Sequence, residues 1–131
     1  PPGLRNGVYR PYKLAFQRVM SLLPVNAFTD VHGDLTDDQF DGYMELEDSC
    51  IRVGQRGGSE LGDHRMFGYA NPVQQGPITG DHPDWHLLLQ LGSDSITDFC
   101  WCDLGTIYFQ IHDKDLEKKR FDRIMLELET T

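Results

Sequence analysis

The chain has 131 residues, 39% hydrophobic and 25% charged, with a net charge of −9. That length and balance fit one ordinary globular domain with a real core, and no apolar run approaches the ~20 residues that cross a bilayer. The excess of acid repels phosphate backbones, so a nucleic-acid partner is disfavoured and a basic protein partner is electrostatically permitted.

Residues 1–12 hold Pro1, Pro2, Pro11, two glycines and two tyrosines, and read as an irregular arm ahead of a single domain over 13–131. The first residues lack the basic leader and apolar stretch of a secretory signal. Three cysteines (Cys50, Cys100, Cys102) are too few and too odd in number for a disulfide scaffold, so free thiols in a reducing cytoplasm are expected. Lys13 to Leu23 reads two ways. Alternation would put Leu14, Phe16, Arg18 and Met20 on one face of a strand; a helix would group Phe16, Val19, Met20 and Leu23.

The clearest helix runs over 36–52. Thr36-Asp37-Asp38-Gln39 is a capping box, and both aspartates suit the positive end of the helix dipole. Phe40, Tyr43, Met44 and Ile51 recur at helical spacing as a core-facing stripe, with Asp41, Glu45 and Asp48 opposite. No basic residue interrupts 37–48. The acids Asp37, Asp38, Asp41, Glu45 and Asp48 therefore make a candidate docking face for a basic partner, or simply a solvated one.

Residues 54–62 carry four glycines and read as a loop. No strand precedes them and no Gly-Lys-Ser/Thr closes them, so they do not make a phosphate-binding loop. Residues 71–83 are again loop-like. Trp85 to Leu91 is a short apolar run of strand length. Gly105 to Ile111 is a second strand, with Ile107, Phe109 and Ile111 alternating against Thr106, Tyr108 and Gln110. Asp115 is placed to cap a short helix over 115–120. The tail alternates Ile124, Leu126 and Leu128 against Met125, Glu127 and Glu129, as a half-buried antiparallel strand does.

Three phrases stand out in order: His64-Arg65-Met66-Phe67-Gly68-Tyr69-Ala70 with Gln74 following, Leu87 to Asp94 (Leu-Leu-Leu-Gln-Leu-Gly-Ser-Asp), and Cys100-Trp101-Cys102-Asp103-Leu104-Gly105. Together they resemble the C-terminal half of the YwqG-like (DUF1963) proteins. In that family the first phrase has glycine where Phe67 stands and proline where Ala70 stands. The third reads Met-Trp-Gly-Asp, so Cys100 and Cys102 replace methionine and glycine. The resemblance implies an α+β fold with a mixed or mainly antiparallel sheet, and the fold expected is a single α+β domain with a sheet of about four or more strands. The resemblance also tips 13–23 towards a strand ending at Leu23-Pro24. It implies a C-terminal part of a longer protein or a shortened relative, and it implies no chemistry. Relatives of this kind are expected beside toxin genes, which suggests an immunity-like role.

The chemical candidates are few. Cys100-x-Cys102 with His82 and His86 departs from zinc-ligand spacings, and the simpler reading is two small buried residues; no metal or cofactor is expected. A cysteine nucleophile activated by His64 has no signature around it. His64, Gln74, Asp94, Trp101 and Asp103 mix aromatic and polar character as ligand sites do. The competing reading has Asp94 and Asp103 making turns and Trp101 filling the core. The function expected is non-enzymatic, through protein contacts. Its rival is a small-ligand- or metal-binding enzyme with a His64/Asp94/Asp103 pocket.

Overall fold

The computed structural model of the protein describes residues 13–54, 64–74 and 83–130. The expected arm at 1–12, nearly all of the glycine-rich loop, residues 75–82 including His82, and the Ile51 side chain lie outside the described residues. The fold is α+β. In chain order it has helices α1 (Val25–His32) and α2 (Asp37–Gly54), strands β1 (Trp85–Gly92) and β2 (Thr106–His112), helix α3 (Asp113–Glu117), one 3-10 turn (Phe121–Arg123) and strand β3 (Met125–Glu129).

Residues 13–24 form no strand. Leu14, Phe16, Val19 and Met20 are exposed, so neither pattern available to this stretch is used to bury a face. The segment is tied down at its end instead. Ser21 Oγ accepts the Tyr69 N–H at 2.9 Å, and the Tyr43 hydroxyl of α2 donates to the Leu23 carbonyl at 2.6 Å. Helix α1 follows directly. Pro24 occupies its N-cap, and the Pro24 carbonyl accepts the Phe28 N–H at 2.9 Å. Gly33 stops the helix at φ 91°, a conformation that costs glycine little. Phe28 then packs on Tyr43 with ring centroids 4.7 Å apart, joining α1 to α2.

Helix α2 begins where its capping box places it. The Gln39 N–H donates to Thr36 Oγ1 at 3.4 Å, and Gln39 Oε1 accepts the Thr36 N–H at 3.0 Å. The inward face is not the one the apolar spacing predicts. Tyr43, Glu47 and Cys50 are half-buried, whereas Phe40 and Met44 are 41% and 40% exposed. Tyr43 decides the rotation, because its hydroxyl must reach Leu23 and its ring Phe28.

Among the described residues the sheet has three antiparallel strands in the order β1-β2-β3, fewer than the four or more expected, since 13–23 does not contribute. Trp85 pairs with His112 at one end of the first ladder and Gly92 with Thr106 at the other, with a bulge between Leu87 and Leu89. The outer edge of β1 is partly paired. Arg65 and Gln90 exchange backbone bonds of 3.1 and 2.8 Å, which blunts an otherwise open edge. Helix α3 starts two residues earlier than its sequence suggests, because His112 Nδ1, and not Asp115, is the cap and accepts the Lys114 N–H at 3.2 Å.

Half-buried strands ordinarily turn their apolar face inward. Here the more polar face is inside. Gln90, Tyr108 and Gln110 are fully buried, and Glu129 is 8% exposed, whereas Leu126 is 57% exposed. Burying such groups is costly unless each is hydrogen-bonded. The residues 69–74 lie over this face as a strap and supply partners to Gln90, Tyr108 and Glu129, with Ala70 packed on Leu87 and Tyr108.

Candidate functional site

The strap is stitched to the sheet by its backbone. The Asn71 N–H donates to Gln90 Oε1 at 2.9 Å, and the Val73 N–H donates to Glu129 Oε2 at 2.8 Å. Tyr108 donates its hydroxyl proton to the same Glu129 oxygen at 3.0 Å and lies 3.2 Å from the Asn71 carbonyl. Gln110 Nε2 donates to Glu127 at 3.0 Å. Burial first, and the Glu129 charge beside it, push the Tyr108 hydroxyl well above the ordinary tyrosine range. Gln74 belongs to this network, donating its side-chain amide to the Thr130 carbonyl. It fixes the strap to the chain end, and it is not where His64 and Asp94 meet.

His64 and Asp94 are brought together. His64 Nε2 is 3.1 Å from Asp94 Oδ2, with side-chain exposures of 31% and 2%. A carboxylate only accepts, so the ring carries its proton on Nε2 and, when neutral, leaves Nδ1 as acceptor. Asp94 is a turn-maker as well. Its Oδ1 accepts the Ile96 N–H at 2.7 Å, its Oδ2 accepts the Thr97 hydroxyl at 3.0 Å, and its backbone exchanges bonds with Phe99. Burial pushes the Asp94 carboxyl up, but the bonds from His64, Ile96 and Thr97 outweigh it and hold the group below the usual carboxylate range. Chemically this is a carboxylate orienting an imidazole. The Thr97 hydroxyl is spent on Asp94, so it is not held by the ring as a nucleophile is held by its base.

The third phrase forms the turn between β1 and β2. Ser93 Oγ donates to the Gly105 carbonyl at 2.8 Å and accepts the Trp101 N–H at 3.0 Å. The Gly105 N–H donates to the Trp101 carbonyl at 2.8 Å. A side chain at Gly105 has no room: a Cβ there would sit 2.3 Å from the Glu129 carbonyl and 2.8 Å from that of Trp101. Trp101 is half-buried beside Phe99, ring centroids 5.5 Å apart, and its buried Nε1 has no hydrogen-bond partner among the described residues. Asp103 is exposed in the turn and is not part of the His64–Asp94 pair.

Cys100 and Cys102 are exposed, not buried, and lie on this turn instead of a strand. Cys102 and Leu104 have φ of 52°, and Phe67 has 62° in the turn it shares with Gly68 at 72°. Cys100 and Cys102 both lie in the connection between β1 and β2, outside the paired strands, so neither side chain sits on a packed sheet face. Among the described residues, no three His, Cys, Asp or Glu side chains are grouped to hold a metal ion. His86 pairs instead with Asp113.

A separate cleft of about 250 Å3 opens between α2 and the strap, lined by Pro24, Val25, Met44, Glu47, Asp48, Asn71 and Pro72. None of the residues expected to form a pocket lines it. Glu47 is pushed above the ordinary glutamate range, chiefly by burial, although the Val25 N–H and the charge of Arg65 pull the other way. The acids Asp37, Asp38, Asp41, Glu45 and Asp48 are all exposed on α2.

Sequence reasoning missed Ser21, Asn71, Gln90, Tyr108 and Glu129 as organising residues. The available signal was Thr106, Tyr108 and Gln110 alternating with apolar neighbours, a polar face as regular as the apolar one. Among the described residues no helix is long and apolar enough to cross a membrane. No curated protein matches the chain. The model of a family described as a domain of unknown function (DUF1963) matches residues 10–129, and the chain therefore belongs to the DUF1963 family.

Proposed function

We propose that the protein is a non-enzymatic cytoplasmic binding module whose exposed α2 face docks a basic protein. The observation that carries this reading is the outward rotation of Phe40 and Met44, one turn apart and exposed, beside Asp37, Asp41, Glu45 and Asp48. An apolar pair ringed by one sign of charge supplies both parts of a protein interface: anchors to desolvate and a field to steer encounter. Free Cys50, Cys100 and Cys102 accord with a reducing compartment. In the immunity-like version of this reading, the basic partner is a toxin that the acidic face occludes.

The test is association of a basic protein captured on the immobilised chain, followed at low and high salt. Parental binding is expected to be fast and strongly salt-sensitive, and Asp41, Glu45 and Asp48 together changed to Lys are expected to slow it at least tenfold at low salt. An unchanged rate in a folded triple variant refutes the reading.

A further inference from the structure

We infer that the protein pairs with a second copy of itself through the outer face of its sheet, the two sheets stacking face to face. This contact uses none of the α2 surface, so it stands apart from the docking reading. Along β2 the side chains alternate. Thr106, Tyr108 and Gln110 take the strap side and are buried, so Ile107 and Phe109 take the other. The register then sets Leu91 and Leu128 beside Ile107, and Leu89 and Leu126 beside Phe109. The result is an apolar patch across all three strands with no charged residue in it. Leu126 and Leu128 are 57% and 41% exposed, and the other four are half-buried. The patch ends at Ile111, which shares this face but is fully buried where the chain turns into α3. Contiguous apolar surface of this kind marks an interaction site more often than bare monomer surface.

The chemistry of the patch limits what can cover it. Its side chains offer neither charge nor hydrogen bonds, so a polar partner would lose hydration there with nothing to offset the loss. Another apolar, twisted sheet face fits it, because such faces stack about 10 Å apart with strands within roughly 30° of each other. A second copy supplies that surface. A two-fold axis brings one patch against its own duplicate, and contacts between identical chains are the more apolar class of interface. The shared net charge of −9 does not forbid the contact. The acids of β3 lie on the polar side, where Glu127 accepts from Gln110 and Glu129 from Tyr108, each at 3.0 Å. Stacking therefore keeps them on the far side of each sheet. Strand spacings of about 4.8 Å and residue rises of about 3.4 Å give the patch an area on the order of a few hundred Å2, below the roughly 800 Å2 per partner of a stable complex. The dimer is accordingly weak and forms at high protein concentration.

Sedimentation velocity of the full chain over a dilution series tests the contact. The expected result is a monomer when dilute that becomes a dimer, and nothing larger, as concentration rises. Added salt should leave dimerisation unchanged or strengthen it, since it screens like charges and does not weaken apolar burial. Docking through the α2 acids responds in the opposite sense. Leu126→Thr with Leu128→Thr, at exposed positions where threonine keeps strand propensity, is expected to weaken dimerisation about tenfold or more. Ile107→Thr, on the central strand, is expected to weaken it too, which separates face stacking from pairing along the β3 edge. Should these variants not fold, a mixture of isotopically labelled and unlabelled parent chain is expected to show cross-copy contacts from the Leu126 and Leu128 methyls to the Phe109 ring. A chain that stays monomeric throughout, or that grows into larger species, overturns the inference. So does a dimer lost in Phe40→Ser/Met44→Ser but kept in the β3 pair, one indifferent to a folded Ile107→Thr, or one without those methyl contacts.

Discussion

The Tyr108 hydroxyl donates a hydrogen bond to Glu129 across the β2–β3 pair, 3.0 Å away, to a carboxylate oxygen that also accepts the Val73 N–H from the strap above. One buried oxygen thus holds sheet and strap together.

Removing the Tyr108 hydroxyl leaves that carboxylate short of a donor in a buried site. Tyr108→Phe is expected to cost about 1–3 kcal/mol, read as a lower urea midpoint with little change in slope. Because the folded hydroxyl titrates above its unfolded counterpart, its contribution is complete below the ordinary tyrosine pKa of about 10 and is lost as pH rises beyond it. Parent and variant should converge in strongly alkaline solution, and a gap that persists unchanged there would contradict the assignment.

Asp94 runs in the opposite sense. Its folded carboxyl is held down, so its stabilisation is complete above the usual carboxylate range and disappears as pH falls through the lowered value. Asp94→Asn is expected to lose about 1–3 kcal/mol at neutral pH. Thermal melts in an acid series should show the two proteins drawing together. A difference independent of pH would mean that shape, and not charge, is what matters at this position.

The α2 box makes a local prediction. Thr36→Ala removes the oxygen that accepts the Gln39 N–H and should cost about 1 kcal/mol. Thr36→Ser, which keeps that oxygen, should cost far less, and the pair of melting midpoints checks it.

Phe67 and Cys102 stand in left-handed backbone, at φ of 62° and 52°, a region that favours glycine. That conformation costs an ordinary residue roughly 1–2 kcal/mol, partly offset by the greater freedom glycine has when unfolded. Phe67→Gly and Cys102→Gly are each expected to stabilise the protein by about 0.5–1 kcal/mol. Because the two sites lie in separate turns, the double variant should add. Denaturant titration of the three variants decides it.

What could be read in advance follows the range of the interactions. Thr36 and Gln39 are three residues apart, so the start of α2 was legible from one turn of chain. Strands β2 and β3 were legible from alternation, and β1 from the length of its apolar run. The inward face was not, because Gln90 is satisfied by Asn71 and Tyr108 by Glu129, partners set by the fold. Helix α1 had only Pro24 and Gly33 to announce it, and the apolar residues of 13–23 drew attention to the wrong stretch. Of the pocket residues, the phrases located His64 and Asp94 without revealing that they touch. Gln74, Trp101 and Asp103 shared those phrases but serve the strap, the turn and the surface.

The two tryptophans mark opposite ends of the β1–β2 ladder. Trp85 lies edge-on to His112 where that ladder begins, ring centroids 5.4 Å apart. Trp101 holds the Gly105 N–H just before Thr106, where the ladder ends, and Gly105 in turn presses on the Glu129 carbonyl of the last strand. The molecule therefore carries its own pair of fluorophores, one at each end of the sheet. With Trp85→Phe, indole emission reports undocking of the C-terminal strand; with Trp101→Phe, it reports fraying beside α3. Unfolding that starts from one end becomes visible as light before the whole ladder is lost.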